Sequence, residues 1–98
     1  MGQPVELLRI AARRVASERE FMSFALHQYM AIERMTESDL MTALDCSPEN
    51  FYRLALCRMP DRAGKDFMER LERIAAYTQT IKEELKGIIE RLGDSSLS

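Results

Sequence analysis

Two cysteines and one histidine are the residues whose side chains could bind a transition metal or form a nucleophile–base pair. Cys46 and Cys57 lie eleven residues apart, and His27 lies well upstream of both. Zinc sites usually combine a close pair such as C-x-x-C with a second pair, and this chain has neither. We therefore expect both cysteines to be small buried residues and His27 to be a polar helix residue. The sequence predicts no enzyme activity, no metal or cofactor, and no small-molecule substrate.

The composition is that of a folded domain. The 98 residues are 46% hydrophobic and 31% charged, with a formal net charge of −2. No apolar run approaches the roughly 18 residues that a membrane-spanning helix needs. The N-terminal residues also lack the pattern of a signal peptide. We expect a single helical domain over residues 1–98, cytoplasmic and without membrane contact.

The first half of the chain carries signals for two helices. Pro4 suits a first helical turn and precedes an apolar stripe, which predicts an N-terminal helix over 4–16. Residues 17–20 read Ser-Glu-Arg-Glu, the form of a capping box, and predict a second helix from about 18 to 34. A single bent helix across 17–20 is the alternative.

Two further helix starts follow at short intervals. Residues 36–39, Thr-Glu-Ser-Asp, resemble a capping box, and Ser47-Pro48-Glu49 places a capping serine before a proline and an acid. The helix that begins there should end before Met59-Pro60, because the residue preceding proline disfavours helical backbone angles.

The C-terminal third has apolar residues that alternate at spacings of four and three. This spacing is typical of the contact seam of a coiled coil, and also of a helix that packs within its own domain. The sequence alone does not choose between these two interpretations. A capping-box sequence at residues 80–83 favours two helices over one long helix. Gly93 should end the last helix, which leaves a frayed tail over 93–98. If the seam forms a dimer, its contact residues are Ile74, Ile81, Leu85, Ile88 and Leu92.

Charged residues after position 66 fall three or four apart with opposite sign, which is typical of a solvent-exposed helix face. They are Glu69, Arg70, Glu72, Arg73, Glu83, Lys86, Glu90 and Arg91.

Residues 40–58 carry the most specific pattern in the chain. They read LMTALDCSPENFYRLALCR, a short helix, a turn at residues 45–47 and a second helix. The residues expected to point inward are Leu40, Leu44, Cys46, Phe51 and Leu54. This stretch resembles the helix-turn-helix of the lambda-repressor-like (Xre) family, and the resemblance covers roughly residues 18–92. Met41 stands where that family usually has alanine, and Asp45 where it usually has a glycine in the left-handed turn.

The predicted fold is all-α: a compact bundle of five to six helices that contains a helix-turn-helix and ends in a long or broken C-terminal helix. The resemblance implies a small DNA-binding transcriptional regulator, usually dimeric, whose second motif helix over 47–58 enters the major groove of duplex DNA. The residues that would contact DNA are Ser47, Glu49, Asn50, Tyr52, Arg53, Arg58, Arg62 and Lys65. Asn50 would pair with adenine and Arg53 with guanine or phosphate. Residues 47–65 are the one clearly basic stretch, with a local charge of +2.

The alternative is a protein–protein interaction or adaptor module on the same scaffold, without DNA binding. Helix-turn-helix geometry is common in helical domains that do not read DNA, and the net negative charge favours this interpretation. It predicts an exposed apolar patch that includes Phe21, Phe24 or Tyr52 and docks a partner helix or a second copy of the chain.

Overall fold

Six helices make up the part of the chain that the structure describes. The computed structural model describes the backbone of residues 5–96 and the side chains of residues 5–92. The helices are α1 (Val5–Arg14), α2 (Met22–Glu33), α3 (Glu37–Leu44), α4 (Pro48–Ala55), α5 (Phe67–Thr78) and α6 (Lys82–Ser96). The prediction of an all-helical bundle with a broken C-terminal helix is confirmed. Pro4, the predicted start of the first helix, lies outside the described residues.

A two-residue antiparallel bridge corrects two predicted helix ends. Phe21 and Arg58 pair through their backbones. The amide of Met22 donates to the Cys57 carbonyl at 2.8 Å, and the amide of Met59 donates to the Glu20 carbonyl at 2.8 Å. The prediction that α2 starts near residue 18 is wrong, because this pairing holds Phe21 extended and the helix begins only at Met22. The predicted continuation of α4 to Arg58 is wrong for the same reason, and α4 ends at Ala55.

The helix starts predicted from local capping patterns are confirmed for α3 and α4. Thr36 and Asp39 form a reciprocal capping box, with Asp39 N donating to Thr36 Oγ1 and Thr36 N donating to Asp39 Oδ2. The Ser47 hydroxyl caps α4 by accepting a hydrogen bond of 3.2 Å from the backbone N–H of Asn50, and Pro48 is the first helical residue. Between the helices Asp45 takes the left-handed conformation at φ 55°, as expected of the residue in the position of the family's glycine.

Gln79 breaks the helical chain between α5 and α6. It adopts a left-handed backbone at φ 55°, and its backbone N–H donates a hydrogen bond to the Ala75 carbonyl. The hydroxyl of Thr78 donates to the Ile74 carbonyl at 2.8 Å and lies 2.9 Å from the hydroxyl of Thr80. The predicted stop at Gly93 is wrong, because α6 continues to Ser96. A glycine ends a helix by taking a left-handed backbone, and none of the glycines in the described chain does so. The predicted frayed tail over 93–98 is therefore helical as far as residue 96, and its last two residues lie outside the described chain.

The core lies among α2, α4, α5 and α6. Helix α4 packs on α1, α2 and α5, while α6 packs on α2, α5 and α3. The fully buried large apolar side chains come from five of the six helices, and they include Leu40, Leu44, Phe51 and Leu54, which were predicted to be the shared core of α3 and α4. The others are Met22, Leu26, Leu71, Leu85 and Ile88.

Candidate functional site

The first turn of α4 is the most accessible part of the predicted recognition helix. Ser47 and Pro48 are exposed, while Glu49 and Asn50 are half-buried. The hydroxyl of Ser47 already serves as the helix cap. The structure therefore leaves the edge of the α4 N-terminus open to a partner, with the Asn50 side chain partly accessible.

Arg53, the predicted base-reading residue, forms an ion pair within its own helix. Its Nη2 lies 3.3 Å from Glu49 Oε2, one turn earlier, and about a third of each side chain is exposed. A pair of this kind contributes up to about 1 kcal/mol, so it can open for a partner at small cost. Glu49 thus places a carboxylate beside Arg53 on the helix that the sequence predicts to enter the major groove.

Tyr52 does not lie on the surface, and the prediction that its side chain is exposed is wrong. It is 6% exposed, and its hydroxyl donates to Glu37 Oε1 at 3.0 Å. Burial, followed by the hydrogen bond to the Glu37 carboxylate, raises the pKa of the phenol above 10.0, its usual value. The residue is covered because α1 packs chiefly on α4, which brings the cationic Arg9 and Arg13 within electrostatic range of the phenol.

The remaining predicted DNA contacts lie beyond the C-terminal end of α4, on the far side from Ser47. Arg58 is mostly exposed, lies 5.8 Å from the centre of the Phe21 ring, and faces Glu20 at 3.8 Å. Arg62 and Lys65 are exposed in the loop before α5. The eight predicted DNA residues therefore extend from the start of α4 into the loop before α5, with Tyr52 buried among them.

The predicted dimer seam is largely internal to one chain. Leu85 and Ile88 are fully buried, and Ile74 is half-buried against the same core. Leu92 is also half-buried, and Ile81 is 41% exposed. The left-handed residue at position 79 also interrupts the continuous helix that a coiled-coil seam requires. These positions fit the interpretation in which the heptad residues pack within their own domain.

Two adjoining surface hollows along α4 and α5 were not predicted from the sequence. The first, of about 450 Å³, is lined by Leu8, Arg53, Leu56, Cys57 and Tyr77. The second, of about 290 Å³, is lined by Cys57, Arg58, Pro60, Arg70, Arg73 and Ile74. They meet at Cys57, and we call the two together the arginine groove. The charge pattern of the sequence predicted only a solvent-exposed face for Arg70 and Arg73. Their spacing to Tyr77, at i, i+3 and i+7, places all three on one side of α5 and was the available signal.

The two thiols offer no reactive group. Cys46 and Cys57 are both free and half-buried, and burial raises the pKa of each thiol above its usual value. A protonated thiol is a poor nucleophile and a poor metal ligand. Within the described residues, no group of three or more histidine, cysteine or acidic side chains could hold a metal ion.

None of the helices between residues 5 and 96 is long and apolar enough to cross a membrane. Comparisons of the chain with family models, with curated proteins and with solved structures give no match.

Proposed function

We propose that the chain is a protein–protein interaction module built on a helix-turn-helix scaffold. The observation that carries this proposal is the packing of α1 over α4, which buries Tyr52 beneath it. A recognition helix must present a free face to enter the major groove of DNA. Here the face of α4 that carries Tyr52 is covered, and the side chains of Glu49 and Arg53 are only about a third exposed.

Exposed apolar side chains on α1 and around the α5–α6 junction support the same proposal. Leu7 and Ile10, one turn apart on α1, are 59% and 44% exposed, and Tyr77 is 63% exposed. Val5, Met68 and Ile81 are also exposed. Aromatic and large apolar side chains of this kind are enriched where proteins bind one another. The predicted patch was to include Phe21, Phe24 or Tyr52, and of these Tyr52 is not exposed. Phe21 and Phe24 are half-buried and each lies near an arginine, while Tyr52 is buried.

A DNA-binding regulator is the second candidate, and the α3–turn–α4 arrangement favours it. The two short helices, their caps and the left-handed residue at position 45 agree with the helix-turn-helix resemblance. On this candidate, Asn50 and Arg53 read bases while Arg58, Arg62 and Lys65 contact phosphates, and α1 moves off α4 to admit the duplex.

Binding to duplex DNA of random sequence, at low and at moderate salt, separates the two candidates. The proposed interaction module shows no binding that weakens steeply with salt, whereas phosphate contacts produce such weakening. The informative variant is the double substitution Asn50→Ala plus Arg53→Ala. A matched control, Gln28→Ala plus Arg34→Ala, removes an amide and a guanidinium elsewhere on the surface.

Salt-sensitive binding that the Asn50–Arg53 variant loses and the control retains would overturn the interaction proposal in favour of the regulator. A well-folded protein that leaves DNA unbound at low salt supports the interaction module. Size-exclusion chromatography with light scattering then tests the partner class. A dimer that Leu7→Ser plus Ile10→Ser dissociates would identify a second copy of the chain as the partner.

A further inference from the structure

An exposed apolar stripe runs along α1 on the side opposite its buried residue. Leu7 and Ile10 lie one turn apart and are 59% and 44% exposed, whereas Ala12 is 2% exposed. At about 100° per residue, Ala12 lies almost directly across the helix from the middle of this stripe. The side of α1 that does not pack on its own chain therefore carries two large apolar side chains, and we call Leu7 and Ile10 the α1 stripe.

Two residues of opposite charge flank the α1 stripe along one edge. Glu6 in the first turn and Arg13 in the last turn are both exposed. They are seven residues apart, which is close to two full turns, so they lie on the same side of the helix and about 10.5 Å apart along its axis. Among the described residues, no carboxylate lies within ion-pair distance of Arg13. This edge of the stripe thus has an acidic end and a basic end.

We propose that a second copy of the chain docks on the α1 stripe, with the two α1 helices antiparallel about a two-fold axis. The proposal rests on the interaction function proposed above and names the partner. Two-fold symmetry makes each contact occur twice, and an antiparallel pair brings the same edge of both helices together. Glu6 of each copy then meets Arg13 of the other. A parallel pair would instead place like charges at the same end and align the two helix dipoles.

The register that pairs the charges also pairs the apolar residues. Glu6 faces Arg13 of the second copy when the two-fold axis passes between residues 9 and 10. Ile10 then lies next to Ile10 of the second copy at the centre, and each Leu7 lies about 3 Å along the axis from the other copy's Ile10. One arrangement therefore covers the stripe and satisfies both charge pairs, which favours a second copy over an unrelated partner.

Glu6 can make this contact without losing its present one. Its carboxylate accepts a hydrogen bond from Arg9, and its side chain is still 62% exposed. A carboxylate has two oxygens that each accept more than one hydrogen bond, so Arg9 and Arg13 of the second copy can share it. The exposed arginines at the end of α1, Arg13 and Arg14, lie at opposite ends of the antiparallel pair in the two copies and do not meet.

The small size of the contact sets its expected strength. Helix α1 has ten residues and is about 15 Å long, so its outer side buries less than the roughly 1,200 Å² of a stable specific interface. We therefore expect a weak dimer whose population rises with protein concentration, with a dissociation constant on the order of 100 µM.

Sedimentation velocity of the full chain at low salt, up to about 1 mM protein, measures this association. Glu6→Arg and Arg13→Glu each turn both charge pairs into like-charge contacts, and each should weaken the association by about tenfold or more. An equimolar mixture of the two variants should recover it, because one copy then carries only arginine and the other only glutamate at both positions. Glu90→Arg and Arg62→Glu are the matched controls, since they make the same charge changes at other exposed residues.

A wild-type chain that stays monomeric up to about 1 mM would overturn the proposal. So would a dimer that the two charge reversals leave intact or that the controls weaken equally. A mixture of the two reversed variants that stays monomeric, while circular dichroism shows both to be folded, would overturn it as well. The interaction function itself fails by a different result, salt-sensitive DNA binding that depends on Asn50 and Arg53, so the two failures are distinguishable.

Discussion

The hydroxyl of Ser23 donates a hydrogen bond of 2.6 Å to the backbone carbonyl of Ala12 and so ties α2 to α1. Ser23 is fully buried, and Ala12 is the buried residue of α1. Carbonyl groups in the last turn of a helix have no donor within that helix, so Ala12 depends on a donor from elsewhere. A specific polar contact with α2 therefore holds α1 in addition to its packing on α4.

Replacement of Ser23 by alanine should loosen α1. Loss of the bond leaves a buried carbonyl without its donor, and we expect the free energy of unfolding to fall by about 1–2 kcal/mol. Chemical denaturation measures this loss, and hydrogen exchange of the α1 amides should become faster. The control is Ser38→Ala, which changes an exposed serine and should have little effect. Unchanged exchange in α1 would show that the bond does not hold that helix.

Tyr52→Phe should remove the link from α4 to α3. The phenylalanine keeps the ring and loses the bond to Glu37, so we expect a loss of about 1–2 kcal/mol in unfolding free energy at neutral pH. Tyr77→Phe is the control, because the Tyr77 side chain is largely exposed. Equal stabilities for the wild type and the Tyr52 variant would contradict the assigned hydrogen bond.

The same substitution changes the dependence of stability on alkaline pH. The folded chain raises the pKa of Tyr52 above 10.0, so the folded state holds a proton that the unfolded state releases first. This contribution to stability is complete below the unfolded pKa and is lost as pH rises through the folded value. Denaturation of wild type and Tyr52→Phe, from neutral pH to about pH 11, should show a steeper loss for the wild type. Parallel curves would contradict this expectation.

Gln79→Gly should stabilise the protein. A left-handed backbone costs a residue with a side chain about 1–2 kcal/mol, and glycine adopts it freely but loses more entropy on folding. We expect a net gain of about 0.5–1 kcal/mol in unfolding free energy. The matched control is Gln28→Gly, in the middle of α2, which should lose about 1 kcal/mol. A destabilised Gln79 variant would contradict the left-handed assignment.

Gly87→Ala should also stabilise, for a different reason. Gly87 lies within α6, and a Cβ atom built there meets nothing within 4 Å, so alanine gains its helix preference without a clash. That preference is about 1 kcal/mol. Gly64→Ala is the contrasting case, because a Cβ there would lie 3.2 Å from the Asp61 carbonyl oxygen and 3.2 Å from Asp66 Oδ1. A shift in thermal midpoint upward for the first variant and downward for the second is the expected pair of results.

The sequence predicted the helix starts that are capped by residues nearby in the chain. Thr36 with Asp39, and Ser47 with the Asn50 amide, are contacts within one helical turn, and both are present. The start of α2 could not be read this way, because the bridge from Phe21 to Arg58 joins segments that are far apart in the chain. The Ser-Glu-Arg-Glu pattern at residues 17–20 matches the sequence of a capping box, but α2 does not begin there.

Glycine positions also misled the prediction of helix ends. In the described part of the chain the residues with left-handed backbones are Arg34, Asp45 and Gln79, whereas Gly93, the predicted stop, lies inside α6. A left-handed glycine and a helical one look alike in a sequence.

The candidate site was the least predictable part. The spacing of Tyr52 in α4 fits an exposed or a buried position equally well, and the packing of α1 decides between them. The arginine groove likewise exists because α5 packs against α4, which brings Arg70 and Arg73 beside Arg58.

The bridge between Phe21 and Arg58 also sets how the chain would respond to mechanical tension. If the two ends are pulled apart and α1, α5 and α6 have detached, the load passes from the segment before α2 directly to the segment after α4. The two backbone bonds, Met22 N to Cys57 O and Met59 N to Glu20 O, then carry the whole force. Helices α2, α3 and α4 lie within the loop closed by these bonds and bear no tension until they break, after which the loop is released as one extension step.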